Sequence, residues 1–171
     1  MTHPNWISKK ALLLLHEESL ARFGGDRGLR DEGLLDSALA RPQNHYAYNA
    51  RASLPALAAA CAFGLAKNHP FVDGNKRAAF LSIGVMLSIN GLVLTAKQSE
   101  AIEAIVSVAS GAMDENALGD WIGKNCVEKK KPGAHYELPA ESPSKFARRP
   151  NTQEKIMPRA KAPTKNDKNN S

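Results

Sequence analysis

The stretch His69-Pro70-Phe71-Val72-Asp73-Gly74-Asn75-Lys76-Arg77-Ala78-Ala79-Phe80 decides how the rest of the chain is read. Pro70 drives His69 out of helical conformation, and Asp73-Gly74 is a turn pair, so a loop precedes the next helix. Helical pattern resumes at Asn75. Ala78, Ala79, Phe80, Ile83, Val85, Met86, Leu87 and Ile89 are apolar nearly all round, the pattern of a buried helix, and Asn90-Gly91 supplies a left-handed stop. Upstream, Ser53 reads as the N-cap of a second apolar helix. Pro55 lies in its first turn, and Leu57, Ala58, Cys61, Phe63, Leu65 and Ala66 carry it to Lys67-Asn68. The two helices form an αα-hairpin whose connecting loop is the quoted stretch.

That loop concentrates chemistry where a helix begins. A helix N-terminus carries unpaired backbone N–H groups and about half a positive charge, so it attracts an anion. Asn75, Lys76 and Arg77 add an amide, an ammonium and a guanidinium on the first turn, with the Asp73 carboxylate just ahead of them. The set suits a nucleotide polyphosphate with a divalent metal held by Asp73. His69 is the one nearby side chain that can accept a proton near neutral pH. Each residue also has a plainer reading. His69 can hold the turn, Asp73 can be the helix N-cap, and Lys76 and Arg77 can be a solvated first turn, although cations at that end oppose the helix dipole. Phe71 reads as a pin for the loop and Phe80 as core.

The string H-P-F-x-D-G-N-K-R resembles the signature of Fic/Doc (Fido) proteins, and the lysine at position 76 resembles the Doc, or death-on-curing, toxin branch. Fic enzymes that transfer AMP have glycine there, where the backbone cradles the nucleotide's phosphates. The Doc resemblance implies ATP bound the other way round, with Mg²⁺, and passage of its γ-phosphoryl group to a hydroxyl of a target protein. His69 would be the general base, Asp73 the metal ligand, and Gly74, Asn75, Lys76 and Arg77 the groups on the phosphates. By the same resemblance the target is elongation factor Tu and the restraining partner a separate antitoxin. Fic relatives that restrain themselves carry an S/T-x-x-x-E-G/N helix. Here Ser110 stands one residue too far from Glu115-Asn116 to match. AMP transfer is the alternative chemistry, and a non-catalytic binding role for the basic tail is the alternative of a different class.

A second pattern, Gly28-Leu29-Arg30-Asp31-Glu32-Gly33-Leu34-Leu35-Asp36-Ser37-Ala38-Leu39-Ala40-Arg41-Pro42, is similar to the same branch, where this segment forms part of the substrate-side wall. Two patterns in the right order and separation outweigh one short motif. Read by themselves, Arg30, Asp31 and Glu32 equally suit a solvated helix start. The helix they open is expected to be short and to end at Pro42. Gln43 to Arg51 then reads as a loop, whose Tyr46 and Tyr48 either line a cleft or seal the loop onto the core.

At 171 residues with 43% hydrophobic and 23% charged side chains, the chain has the composition of one globular domain. Its net charge of +6 is unevenly placed. Residues 1–128 hold 12 Lys and Arg against 13 Asp and Glu, whereas residues 129–171 hold 11 against 4. A nearly neutral domain, 1–128, is therefore expected to precede a basic, disordered tail, 129–171, able to make weak nucleic-acid contact. Cys61 and Cys126 sit in apolar helical patterns without C-x-x-C spacing and read as reduced core thiols of a cytoplasmic protein. Neither a signal-peptide pattern nor an apolar run of about 18 residues is present, so no membrane role is expected.

Four further helices complete the reading. One runs from Ser8 to Gly24-Gly25, with Leu12, Leu15, Leu20 and Phe23 on its buried side and His16 expected at the surface or half-buried. The second ends at Pro42. Thr95 and Gln98 form a capping-box pattern for the next, which Gly111 ends, and Asp114 caps the last, through Leu118, Trp121, Ile122 and Cys126. Leu92-Val93-Leu94 is too short to predict a sheet. The fold class expected is an all-α Fido-type bundle of about six helices, with the motif loop between two central ones.

Overall fold

A computed structural model describes residues 3–129 of the chain. The expected basic tail falls, beyond Lys129, outside the described residues. Six helices and two short strands follow in order: α1 (Lys9–Phe23), α2 (Glu32–Tyr48), α3 (Leu54–Asn68), α4 (Asn75–Ile89), β1 (Leu92–Leu94), α5 (Gln98–Ser110), α6 (Glu115–Lys124) and β2 (Cys126–Glu128). Among the described residues the architecture is the all-α bundle that the periodicity predicts. None of these helices is long and apolar enough to cross a membrane.

Capping residues set most of the boundaries. Ser8, Asp31, Ser53 and Asp114 each accept a hydrogen bond from the backbone N–H three residues on, which satisfies one of the free donors of each first turn. Helix α3 is the centre of the bundle. Every residue from Leu57 to Ala62 is buried, and α2, α4 and α6 all pack on it. Its small residues bring these neighbours close: a Cβ on Gly64 would stand 3.0 Å from the Cα of Ala38 in α2, and one on Gly119 of α6 would stand 3.4 Å from the Cα of Ala56. Removing a leucine of this kind from water contributes roughly 1.5–3 kcal/mol. Leu57, Leu65, Ile83, Leu87, Leu118 and Ile122 together therefore carry much of the stability.

Several expectations fail, each for a physical reason. Helix α2 does not stop at Pro42 but continues to Tyr48. Leu35, Ala38, Leu39 and Pro42 lie three and four residues apart on one buried face, so packing on α3 outweighs the single backbone bond that proline cannot donate. The segment expected as a loop from Gln43 is helix as far as Tyr48. Tyr46 meets Trp6 and His3 edge-on and seals the N-terminal segment, whereas Tyr48 is exposed. Thr95 caps no helix: its N–H and hydroxyl both donate to the carbonyl of Asn125, while α5 begins after Lys97, whose N–H donates to Glu100. Cys126 belongs to β2 rather than to a helix. Leu92-Val93-Leu94 pairs antiparallel with Cys126-Val127-Glu128, Val93 opposite Val127, a contact between distant segments that no local pattern announces.

Candidate active site

The loop between α3 and α4 is held from both sides. Asn75 is 8% exposed, and its side chain closes a ring onto Phe71, Nδ2 donating to the carbonyl and Oδ1 accepting from the N–H, both at 2.9 Å. Phe71 is buried, as its reading as a loop pin predicts. From the other side the segment before α2 runs along the loop. Arg30 and Asp31 donate their N–H groups to the Pro70 carbonyl at 2.7 and 3.1 Å, and Val72 donates to the Gly28 carbonyl at 3.0 Å. Arg30 also caps the end of α3 through the Asn68 carbonyl, Asp31 caps α2, and Glu32 pairs with Lys9. The backbone of Arg30 and Asp31 and the Arg30 side chain thus hold the loop, while the two acids serve α2 and α1.

Between those anchors stands His69, at φ 49° and ψ 56° the one residue other than glycine with a positive φ among the described residues. A left-handed backbone at a side-chain-bearing residue costs on the order of 1–3 kcal/mol and persists where its surroundings over-determine it. Here the neighbours do so. The Asn68 carbonyl is held by Arg30, its side chain donates to the Leu34 carbonyl, and Pro70 is buried.

Asp73 is not the N-cap of α4. That position belongs to Gly74, at φ 76°, and no side chain caps the helix. The Asp73 carboxylate instead turns back, accepting from the Gly74 N–H through Oδ1 and, at 3.4 Å, from the Asp26 N–H through Oδ2. Asn75, Lys76 and Arg77 therefore present the first-turn N–H groups of α4 without a capping side chain. The side chain of Asn75 is engaged with Phe71, so what it offers the helix mouth is its backbone. Lys76 is exposed. Arg77 reaches across to α1, where Nη1 donates to the carbonyls of Ser19 and Gly24 at 3.1 and 3.0 Å and to the Ser19 hydroxyl at 3.3 Å.

All six residues singled out in the sequence, His69, Asp73, Gly74, Asn75, Lys76 and Arg77, line one cleft of about 620 Å³. Its other wall comes from Phe23, Phe80 and the α5 residues Gln98, Ile102, Ile105 and Val106. Phe80, expected to be core, is only half-buried and faces this cleft, and Phe23, expected on the buried side of α1, is 71% exposed at its rim. Asp73 is the one acid in the lining. Glu115 lies elsewhere, paired with Arg41 and His45 of α2.

His16 is the residue whose expected place fails most clearly. Only 2% exposed, it stacks flat on Phe71 with ring centroids 3.8 Å apart, and its Nε2 lies 2.8 Å from the carbonyl oxygen of Asp73. Its spacing contains the signal: Leu12, His16, Ser19 and Leu20, at i, i+4, i+7 and i+8, are the buried residues of α1.

Residues 6–87 match the family described as Fic/DOC, a span that runs from before α1 to near the end of α4. The protein kinase doc of Escherichia phage P1 is 31% identical over 116 residues, which cover 68% of this chain and 91% of that protein. The chain belongs to the Fic/Doc family. Toxin Doc of Mycolicibacterium smegmatis is 49% identical over 75 residues, 43% of this chain, and the match spans 58% of that relative's length. The family match stops short of α5, so the apolar wall formed by Ile102, Ile105 and Val106 lies beyond it.

Proposed function

We propose that this protein is a Doc-like toxin that transfers the γ-phosphoryl group of ATP to a hydroxyl of a target protein, by resemblance elongation factor Tu, and so blocks translation. The observation that carries the reading is the meeting, in one cleft, of a base held in a left-handed turn, a lone carboxylate and a helix N-terminus that no side chain caps. His69 takes the proton of the incoming hydroxyl. The first-turn N–H groups of α4, with Lys76, hold the phosphates. Mg²⁺ suits Asp73: no cluster of three or more acidic, histidine or cysteine side chains is present among the described residues, and magnesium is commonly held by one or two carboxylates, waters and substrate phosphates. Bound there, the metal would neutralise charge on the phosphates. Arg77, anchored on α1 carbonyls, adds positive charge to the cleft and ties α1 to the start of α4.

Two features support γ-phosphoryl rather than AMP transfer: Lys76, in place of the glycine of AMP-transferring relatives, and the printed name of the phage P1 relative. A lysine brings bulk and a point charge where glycine would let a phosphate approach the backbone closely, and the pose decides which phosphorus faces the hydroxyl. The experiment is transfer from ATP labelled at either the γ- or the α-phosphate into a cell lysate. Label from the γ-position is expected on the target and label from the α-position is not, and the reverse result would establish AMP transfer. Restraint is assigned to a separate antitoxin, because Glu115 is paired on another face of the bundle. Expressing the chain alone is then expected to arrest growth, and normal growth with abundant folded protein would count against a toxin.

A further inference from the structure

We infer that His16, on a helix that carries none of the signature, is a positioning residue for Asp73, acting through the backbone of the motif loop. The inference rests on the function proposed above for its consequences in catalysis, but its geometry stands on its own.

Three contacts converge. The carbonyl oxygen of Asp73 can only accept a hydrogen bond, so the Nε2 of His16, 2.8 Å away, must carry the proton, which selects one tautomer of the neutral ring. Flat stacking on Phe71 fixes the plane of that ring. Phe71 is in turn held through both backbone groups by Asn75, so ring and loop form one closed unit. The same imidazole stands against Gly74, where an added Cβ would lie 3.0 Å from Nε2. His16 therefore touches Phe71 by stacking, Asp73 by hydrogen bond, and Gly74 by contact.

Asp73 is exposed and caps no helix; its carboxylate accepts from the Gly74 N–H, which belongs to the same peptide as the Asp73 carbonyl, and from the Asp26 N–H at a long 3.4 Å. Orientation of the carboxylate thus follows from orientation of its own peptide plane. The buried ring of His16 places a donor on that carbonyl and so constrains the peptide. Loss of the donor frees the peptide to rotate, and a misplacement of about 1 Å at a reacting centre can lower rate about 10²-fold.

The test compares His16→Phe, which keeps ring volume and stacking but removes the donor, with His16→Gln, whose amide can reach the Asp73 carbonyl. Amide exchange of residues 71–77 is measured by mass spectrometry alongside melting temperature and γ-label transfer. His16→Phe is expected to stay folded, to exchange Val72 and Gly74 at least tenfold faster than wild type, and to lose about 10²-fold in kcat. His16→Gln is expected to restore protection and to bring kcat within about tenfold of wild type. A folded His16→Phe with unchanged exchange and unchanged transfer would overturn the assignment. Should His16→Phe not fold, His16→Gln decides: wild-type protection and transfer support the donor role, and a folded His16→Gln that lacks both overturns it. If wild-type protein transfers no label at all, the proposed reaction fails while the exchange comparison still judges His16.

Discussion

His69 combines two burdens in one residue, a proton-accepting ring and a backbone conformation that L-residues avoid. Its turn is maintained by the neighbours on either side, Asn68 bound by Arg30 and Pro70 bound by Arg30 and Asp31, so the turn does not depend on the His69 side chain. His69→Ala is therefore expected to lower transfer roughly 10²- to 10⁴-fold with little change in melting temperature. Wild-type activity would refute the base assignment, and unfolding would make His69 structural. Lys76 makes the complementary case. Exposed on the first turn of α4, it packs against nothing that stability needs, so Lys76→Gly is expected to cost only about 0.5–1 kcal/mol through helix propensity while crippling γ-phosphoryl transfer. Full transfer by that variant would show that the lysine does not set the chemistry.

At the scale of elements, α1 and the segment after it frame the motif loop as much as α3 and α4 do. Arg77 ties the end of α1 to α4, and residues 28–31 run alongside the loop. Gly25 shows how tight this frame is. Its φ is +127°, and a Cβ there would stand 2.5 Å from Oδ2 of Asp73. Gly25→Ala is accordingly expected to push the carboxylate aside and to reduce transfer by at least tenfold, with the helices still formed by circular dichroism. Unchanged transfer would mean that Asp73 tolerates displacement. Helix α3 has the opposite role, stability without chemistry. Leu57 is fully buried in α3, the helix on which α2, α4 and α6 pack, and Leu57→Ala is expected to cost about 2–5 kcal/mol in denaturant unfolding, whereas a loss below 1 kcal/mol would contradict its place in the core.

For the molecule as a whole, the buried thiol of Cys61 links the core to pH. Burial pushes it up to about 12, against an ordinary 9.0, while the Ser82 hydroxyl beside it pulls the other way. A folded-state pKa above the unfolded one means that the unfolded chain gives up its proton first. Stability is then fully present below about pH 9 and falls as pH rises toward 12. Chemical denaturation at pH 8 and pH 10.5 should show that decline, and Cys61→Ala should reduce it. An equal decline in the variant would place the effect elsewhere. The basic residues beyond the bundle give a separate readout. Residues 129–171 carry 11 Lys and Arg against 4 Asp and Glu, so the 171-residue chain should be retained on heparin in a salt-dependent way that removal of residues 132–171 abolishes.

Local chemistry in the sequence by itself determined the helix count, the caps at Ser8, Ser53 and Asp114, the αα-hairpin and the loop that carries the motif. Capping and apolar periodicity act within a few residues, and adjacent groups such as His69, Asp73 and Lys76 are brought together by the chain itself. What only the tertiary structure decided are the relations between distant segments. Pro42 remains helical because its buried face is shared with α3. Leu92-Val93-Leu94 becomes a strand because Cys126-Val127-Glu128 arrives beside it. Asp73 gives up the cap of α4, and His16, far away in sequence, takes hold of its carbonyl. The competing partners in these cases differ by about the strength of one hydrogen bond or one buried side chain, and long-range packing chooses between them.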